Sequence, residues 1–493
     1  MGILDEFNPQ RDGWFFENWG EAAPFDWALY RRTYLAINPT NDPVSAPLDV
    51  AFFQVFKSCA ANGNCGGMCL LALALFKYGG YFGYGSPANF YTGAGSGPDR
   101  PDLHQAVNIM QARQFSAAGI RNFLDVVKAG QLNDGFAAFE RIRIGLASGD
   151  YCMLSLSNGI FGDAAHVVIP YRADIVGTSR VLHVWDPNRP YDAFPQSYDG
   201  DTNKIVITSP TTWSYDQNAG GLSGGTLYNG SMNGWFFAIP TSLEIHKGRQ
   251  PISAGFILTG LTTLFVSGIG AAVTQISDDE GHRLYSSDKK HRNISDLETS
   301  PDRQLTGVAP WPWPGGLGGD LPGELFFIER PQGSSPLNVS VRGDEYRLIH
   351  LSSGHLTELA AGPAAAAAKD TIRLEGSADD AQSIVVSTGA DRREFDIHHL
   401  RQGGPQDWRS VKVRNAVVTE DKLEVRAPVA FDAIEISGTT ARRDVDVELR
   451  RYGDGKLATR LAPGQEVPAG KALRMAPSSW EGLSRAKVEQ VLT

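Results

Sequence analysis

The sequence predicts an α+β first half, a helical half followed by an antiparallel β half, and then a β-rich, sandwich-like C-terminal region. Three observations carry this. Between Asp102 and Gly149 apolar residues recur at helical spacing, with Phe136, Phe139, Ile142 and Leu146 on one face. At Tyr151 the period changes to two: Cys152, Leu154 and Leu156 alternate with Met153, Ser155 and Ser157. Past the proline-rich stretch near residue 315 come short alternating runs, LNVSVRGDEYRLIHL, SIVVSTG, REFDIHHL, KLEVRAP, AIEISG and VDVELRRY, at sandwich spacing. A chain of 493 residues exceeds what one core usually holds. The expected division is residues 1–250, a connecting β/loop segment 251–325, and a β-rich binding region 326–493.

The opening MGILDEFNPQRDGWFF has neither a basic n-region nor an apolar h-region, so a cytoplasmic protein is expected. NGNCGGMCLLALALF, Asn62 to Phe76, runs from a glycine-rich loop into a helix that is apolar on every side, with Lys77 its first charge. Such a helix is buried. Asn133 or Asp134 caps the later helix that carries Phe136. The strands YCMLSLS, HVVIPYRADIV and VLHVWD follow, the last two joined near Gly177-Thr178-Ser179. Tyr198 to Trp235 contains QNAGGLSGGTLYNGSMNGW and reads as a long loop, placed to border a cleft and act as a lid.

Pro251 to Ser277 has no charge over 27 residues, but its four Gly, four Thr and three Ser among β-branched residues predict buried strands and turns rather than a membrane span. PWPWPGGLGGDLPG (Pro310 to Gly323) reads as a linker. AAGPAAAAAKD (Ala360 to Asp370) either joins two β units or forms a short helix.

The composition, 42% apolar and 20% charged, is that of a soluble globular protein. A net charge of −10 with interspersed signs gives no basic stripe, which argues against nucleic acid as a partner. The four cysteines, Cys59, Cys65, Cys69 and Cys152, are too few for a disulfide scaffold. Without a CxxC pair or a neighbouring histidine they do not form a zinc pattern either. No metal or cofactor is expected.

The chemistry centres on Cys65, at the mouth of the buried helix. Unpaired N–H groups and the positive end of the helix dipole stabilise a thiolate there. The glycines of the Gly63 to Gly67 loop would let a substrate backbone approach. Cys69, one turn further in, reads as a small core residue. His166 opens a strand, and the antiparallel return of VLHVWDPNRP brings Asp186 to the same end of the hairpin, where a carboxylate can fix the imidazole. Asn188 is the competing orienter, and DPN also suits an Asx-type turn. His183, at odd spacing from Asp186, faces the other way. The oxyanion donors expected are the Cys65 N–H and the Asn62 side chain, ahead of Asn64. In the tail, His398 and His399 sit on one strand with their rings on opposite faces, so they cannot share a metal.

NGNCGGMC with its apolar helix, AAHVVIPYRA and VLHVWDPNRP, in the order Cys, His, Asp, resemble the papain-like cysteine peptidase superfamily in the broad sense, which includes bacteriocin-leader-processing peptidases. The resemblance spans about Gly20 to Pro240. It implies a cysteine peptidase acting on a protein or peptide by Cys65, His166 and Asp186, with the β-rich region available to a protein partner. An acyltransferase or transglutaminase-like enzyme on the same triad, or an inactive fold serving as a binding protein, are the alternatives. Two departures stand out. Cys59 occupies the position where the superfamily usually has Gln, and aligning NGNCGG on the papain-type run would make Cys69 the nucleophile, with Met68 as an insertion.

Overall fold

The computed structural model describes residues 6–20, 26–34, 44, 46–60, 63–79, 100–158, 165–230, 234–247, 261–268, 271–279, 283–286, 308–310, 323–329, 336–352, 354–365, 368–375, 381–404, 407–428, 430–438 and 442–492. The chain is mixed helix and antiparallel sheet with a β-rich C-terminal half. Helices α1 (Pro9–Asp12), α2 (Trp27–Thr33), α3 (Pro47–Ala60), α4 (Cys65–Tyr78), α5 (Pro101–Arg113), α6 (Ala117–Lys128) and α7 (Gly135–Ser148) come first. Strands β1 (Cys152–Leu156), β2 (His166–Val176), β3 (Ser179–Trp185), β4 (Lys204–Ser209), β5 (Thr212–Asp216), β6 (Leu227–Asn229) and β7 (Phe236–Pro240) form one sheet in the order β6-β5-β4-β3-β2-β1-β7.

Side-chain periodicity explains this packing. From Cys65 to Leu75 every residue of α4 is buried, as an all-apolar helix requires, and Lys77 emerges beside Asp150 at 3.5 Å. Along β2, Val167 and Ile169 join the core around α4, while Val168 joins Phe139 and Ile142 of α7 on the opposite face. The sheet is therefore covered on both sides. Asp134 rather than Asn133 caps α7, its carboxylate accepting from the Phe136 and Ala137 N–H groups at 3.0 Å each. β2 and β3 meet at Val176↔Ser179 through a two-residue turn in which Gly177 takes a left-handed φ of 61°.

One reading is corrected. Tyr198 to Trp235 is not a long loop, because it holds β4, β5 and β6 of the sheet. KIVITS and TWSYD alternate as strands, and their inward residues Ile205, Ile207, Trp213 and Tyr215 are fully buried. The glycines are concentrated in the β5–β6 connection and after β6, so they bias the composition of the stretch without describing its middle.

The C-terminal half is two nine-stranded antiparallel sheets packed face to face over a shared core. Leu261–Ser267 lies in one sheet and Ala272–Asp278 in the other, so part of the uncharged stretch after residue 250 is sandwich strand. Of the expected linker only the ends are described, in Val308–Pro310 and Gly323–Glu329. The alanine-rich run connects His355–Ala361 to Lys369–Glu375 across the two sheets, with Gly362 to Ala365 irregular.

Part of one sandwich sheet is buried on both faces. Leu264, Val266, Phe326, Ile328 and Leu348 point between the sheets, whereas their neighbours Phe265, Leu325, Phe327 and Ile349 belong to the core built around α4. The Trp408 indole N–H, on that sheet, donates to the Val44 carbonyl at 2.7 Å. Among the described residues no helix is long and apolar enough to cross a membrane.

Candidate active site

The glycine-rich turn before α4 is held from three directions. The Asn64 N–H donates to Asn18 Oδ1 at 2.8 Å, and its side-chain amide donates to the Trp19 carbonyl at 3.2 Å. Gln111 of α5 accepts from the Gly67 N–H at 2.5 Å and donates to the Gly63 carbonyl at 3.1 Å. Space is short here. A Cβ on Gly66 would meet Gln114 Nε2 at 2.1 Å, and one on Gly67 would meet the Val107 carbonyl at 2.3 Å. These two glycines thus admit α5, not a substrate backbone, and by doing so fix the direction of Cys65.

Cys65 is the first residue of α4 and 2% exposed. Its side chain is close enough to His166, the first residue of β2, to help hold the imidazole charged. His166 Nε2 lies 2.6 Å from Asp186 Oδ1, which leaves Nδ1 as the ring nitrogen for the thiol. The remaining acceptor positions of Asp186 are filled. Oδ2 accepts from Tyr215 Oη and Gln217 Nε2 at 2.6 Å each, and Oδ1 accepts from the Asn188 N–H at 2.7 Å. Tyr228 stacks on the imidazole at 6.2 Å and 15°, and Tyr215 stacks on Tyr228 at 5.9 Å.

Burial is the largest influence on His166 and opposes its charge. The Asp186 charge and hydrogen bond, with the Cys65 side chain, overcome it and raise the imidazole to about 10. Burial likewise works to raise the Asp186 carboxyl, but the His166 charge and the bonds from His166, Tyr215 and Gln217 hold it below the ordinary value. The arrangement places a candidate base and its orienting carboxylate beside a thiol at the start of a helix.

The sequence candidates sort cleanly. Cys65, His166 and Asp186 meet. Asn188 joins through its backbone, closing an Asx turn on Asp186, so the orienter and turn readings of DPN hold together. Cys69 Sγ faces the Val167 carbonyl at 3.4 Å, and burial pushes its thiol well up. Cys59 lies in α3. His183 stands elsewhere, its Nδ1 2.6 Å from Asp201 and its Nε2 3.0 Å from Asp174. Asn62 lies outside the described residues. Among the described residues no group of three or more His, Cys, Asp or Glu is placed to hold a metal.

Sequence reasoning missed Asn18, Tyr215, Gln217 and Tyr228. Asn18 ties the two sides of the site together, its side chain accepting from Asn64 and its backbone N–H donating to the Pro187 carbonyl at 2.8 Å. The other three come from the stretch read as a loop. Period-two alternation in TWSYDQ, with Trp213, Tyr215 and Gln217 on one face, was the available signal. The segment from Phe7 to Trp19 packs over this region. Phe7 lies 6.4 Å from the Trp185 ring, the Trp14 indole N–H donates to the Met68 carbonyl at 3.0 Å, and a Cβ on Gly13 would meet Trp185 Nε1 at 2.3 Å. Compared with protein-family models, with curated proteins and with solved structures, the chain finds no match in any of the three.

Proposed function

We propose that the chain is a cysteine peptidase of papain-like architecture, cleaving a peptide or amide bond by covalent catalysis at Cys65. The observation that carries this reading is the buried relay from Asp186 through His166 to Cys65, with a carboxylate 2.6 Å from the imidazole at the mouth of a buried helix. In the mechanism Cys65 thiolate attacks the carbonyl carbon, and the C=O π electrons move to oxygen. The Cys65 N–H, with Asn62 as the side-chain donor suggested by the sequence, holds that oxyanion. His166 gives its proton to the leaving amine as the C–N bond breaks. It then takes one from the water that hydrolyses the thioester, and the thiolate leaves. Asp186 orients the ring and offsets its charge, while Tyr215 and Gln217 keep Asp186 ionised and fixed.

Cys65 and His166 are each 2% exposed, so a peptide reaches the thiol only when part of the cover moves. The first test is the rate of iodoacetamide labelling across about pH 4 to 9, with the modified residue located by mass spectrometry. Fast labelling of Cys65 well below pH 8, lost in His166→Ala, is expected. An ordinary thiol profile at Cys65, unchanged by that substitution, overturns the reading. Hydrolysis of peptide substrates that survives Cys65→Ala does the same, and adduct formation with added amines in place of hydrolysis assigns an acyltransferase instead.

A further inference from the structure

At one end of the sandwich the inward face of a sheet finishes in a row of arginines. Arg401 lies directly opposite Arg409, and Arg409 directly opposite Arg451, on three neighbouring strands. They continue the side of the sheet that carries Val411 and Leu449 into the core. Like charges placed directly opposite each other repel. Aspartate relieves only part of this row, as Asp407 lies 3.7 Å from Arg451. Arg401 makes no ion pair or hydrogen bond among the described residues. The Arg409 guanidinium lies 5.4 Å over the Trp480 ring and reaches the Ala430 carbonyl at 3.4 Å, with no carboxylate partner among the described residues.

The two unneutralised guanidinium groups open onto a cavity of about 480 Å³, lined by Arg401, Arg409, Asp407, Trp408 and Phe431. Trp408 alternates with Arg409 along the strand, so its ring turns to the other face of the sheet, where it bonds to Val44 and stacks on Tyr452 at 9°. On the arginine side the aromatic neighbour is Phe431. Phe431 is 1% exposed and holds a left-handed φ of 50°, a conformation that a bulky aromatic residue rarely adopts and that clusters at ligand clamps. In a chain of net charge −10, the cavity carries a local excess of positive charge beside Phe431.

We propose that this cavity is a binding site for an oxyanion carried on an apolar or planar body, either a carboxylate or a phosphate monoester. Arg401 and Arg409 bracket the oxyanion with their forked donors, and the body lies against Phe431. The site lies in the sandwich and is independent of the thiol chemistry, so either reading can fail without the other.

Calorimetric titration of the full chain with phenyl phosphate, phenylacetate and neutral 2-phenylethanol tests this. Saturable one-site binding of at least one anion is expected, with the alcohol weaker by about tenfold or more and the affinity falling as salt is added. The tighter of the two anions identifies the headgroup. Arg401→Gln and Arg409→Gln are each expected to weaken that anion by about tenfold or more. Arg401→Gln should leave Tm unchanged or raised, since repulsion is relieved and no native partner is lost. Equal binding of the alcohol, unchanged affinity in both folded variants, or no saturable binding of either anion up to about 10 mM overturns the proposal.

Discussion

His166 at the start of β2 and His399 between the sandwich sheets are both almost wholly removed from water, yet their ionisation moves in opposite directions. For His399 burial is the largest influence and prevails, pushing the imidazole down to about 4. Its partners are neutral. Nε2 lies 3.1 Å from the Val425 carbonyl and so must donate, which leaves Nδ1 to accept from Thr357 Oγ1 at 3.0 Å. For His166 burial is equally the largest influence and is overcome by Asp186, which raises the ring to about 10. Desolvation is thus a background common to both, and the Asp186 carboxylate is the main difference in their surroundings that turns the His166 shift upward.

The sharpest way to break this contrast is Asp186→Asn, which keeps the shape and removes the charge. Under the proposed function, peptide hydrolysis should fall by about 10³- to 10⁴-fold, and the His166 titration, followed by NMR, should drop towards that of His399. An unchanged His166 titration would mean that Asp186 is not what sets it. Tyr215→Phe removes one of the two donors on Asp186 Oδ2. We expect a loss of about 1–3 kcal/mol in stability by denaturant titration and a smaller fall in turnover, because the charge itself remains.

The pH dependence of stability separates the two histidines by sign. His166 is raised in the folded state, so its contribution is fully present below about pH 6.5 and is lost as pH climbs towards about 10. His399 is depressed, so its contribution is present above about pH 6.5 and is lost on acidification towards about pH 4. His399→Gln should flatten the acid limb of a Tm-against-pH curve, where the wild-type contribution is on the order of 3 kcal/mol, and leave the alkaline limb alone. His166→Gln should do the reverse. The smallest effect is expected from Cys69→Ala. With its thiol turned to the Val167 carbonyl, the change should cost about 1 kcal/mol in stability and leave turnover within about twofold, whereas loss of turnover would reassign the nucleophile.

The legible and the illegible parts of the site differ in how far their signals reach along the chain. Cys65 is announced by the loop and helix around it, and His166 and Asp186 by one hairpin whose turn residues lie between them. Each needs only local pattern and a single antiparallel pairing. Asn18 meets Asn64 from 46 positions away through the tertiary fold, and nothing near it in sequence marks it. Tyr215, Gln217 and Tyr228 were hidden differently, since a high glycine count averaged over a long window masked three short strands. The glycines beside Cys65 were noticed but given the wrong neighbour, because composition tells that something comes close and not what it is. In the tail, strict alternation made both the strands and the opposed rings of His398 and His399 readable.

The strands of the sandwich sheet that are apolar on both faces make the two halves a single inheritance. Cutting the gene near residue 250 would give two fragments with wet hydrophobic sides: one sheet bearing Phe265, Phe327 and Ile349 without a roof, and one helical layer without a floor. Neither piece should be a portable module for fusion or recombination. A calorimetric scan of the whole chain should show the halves melting together, and a partner that wedges between them would act on the thiol site and the sandwich at once.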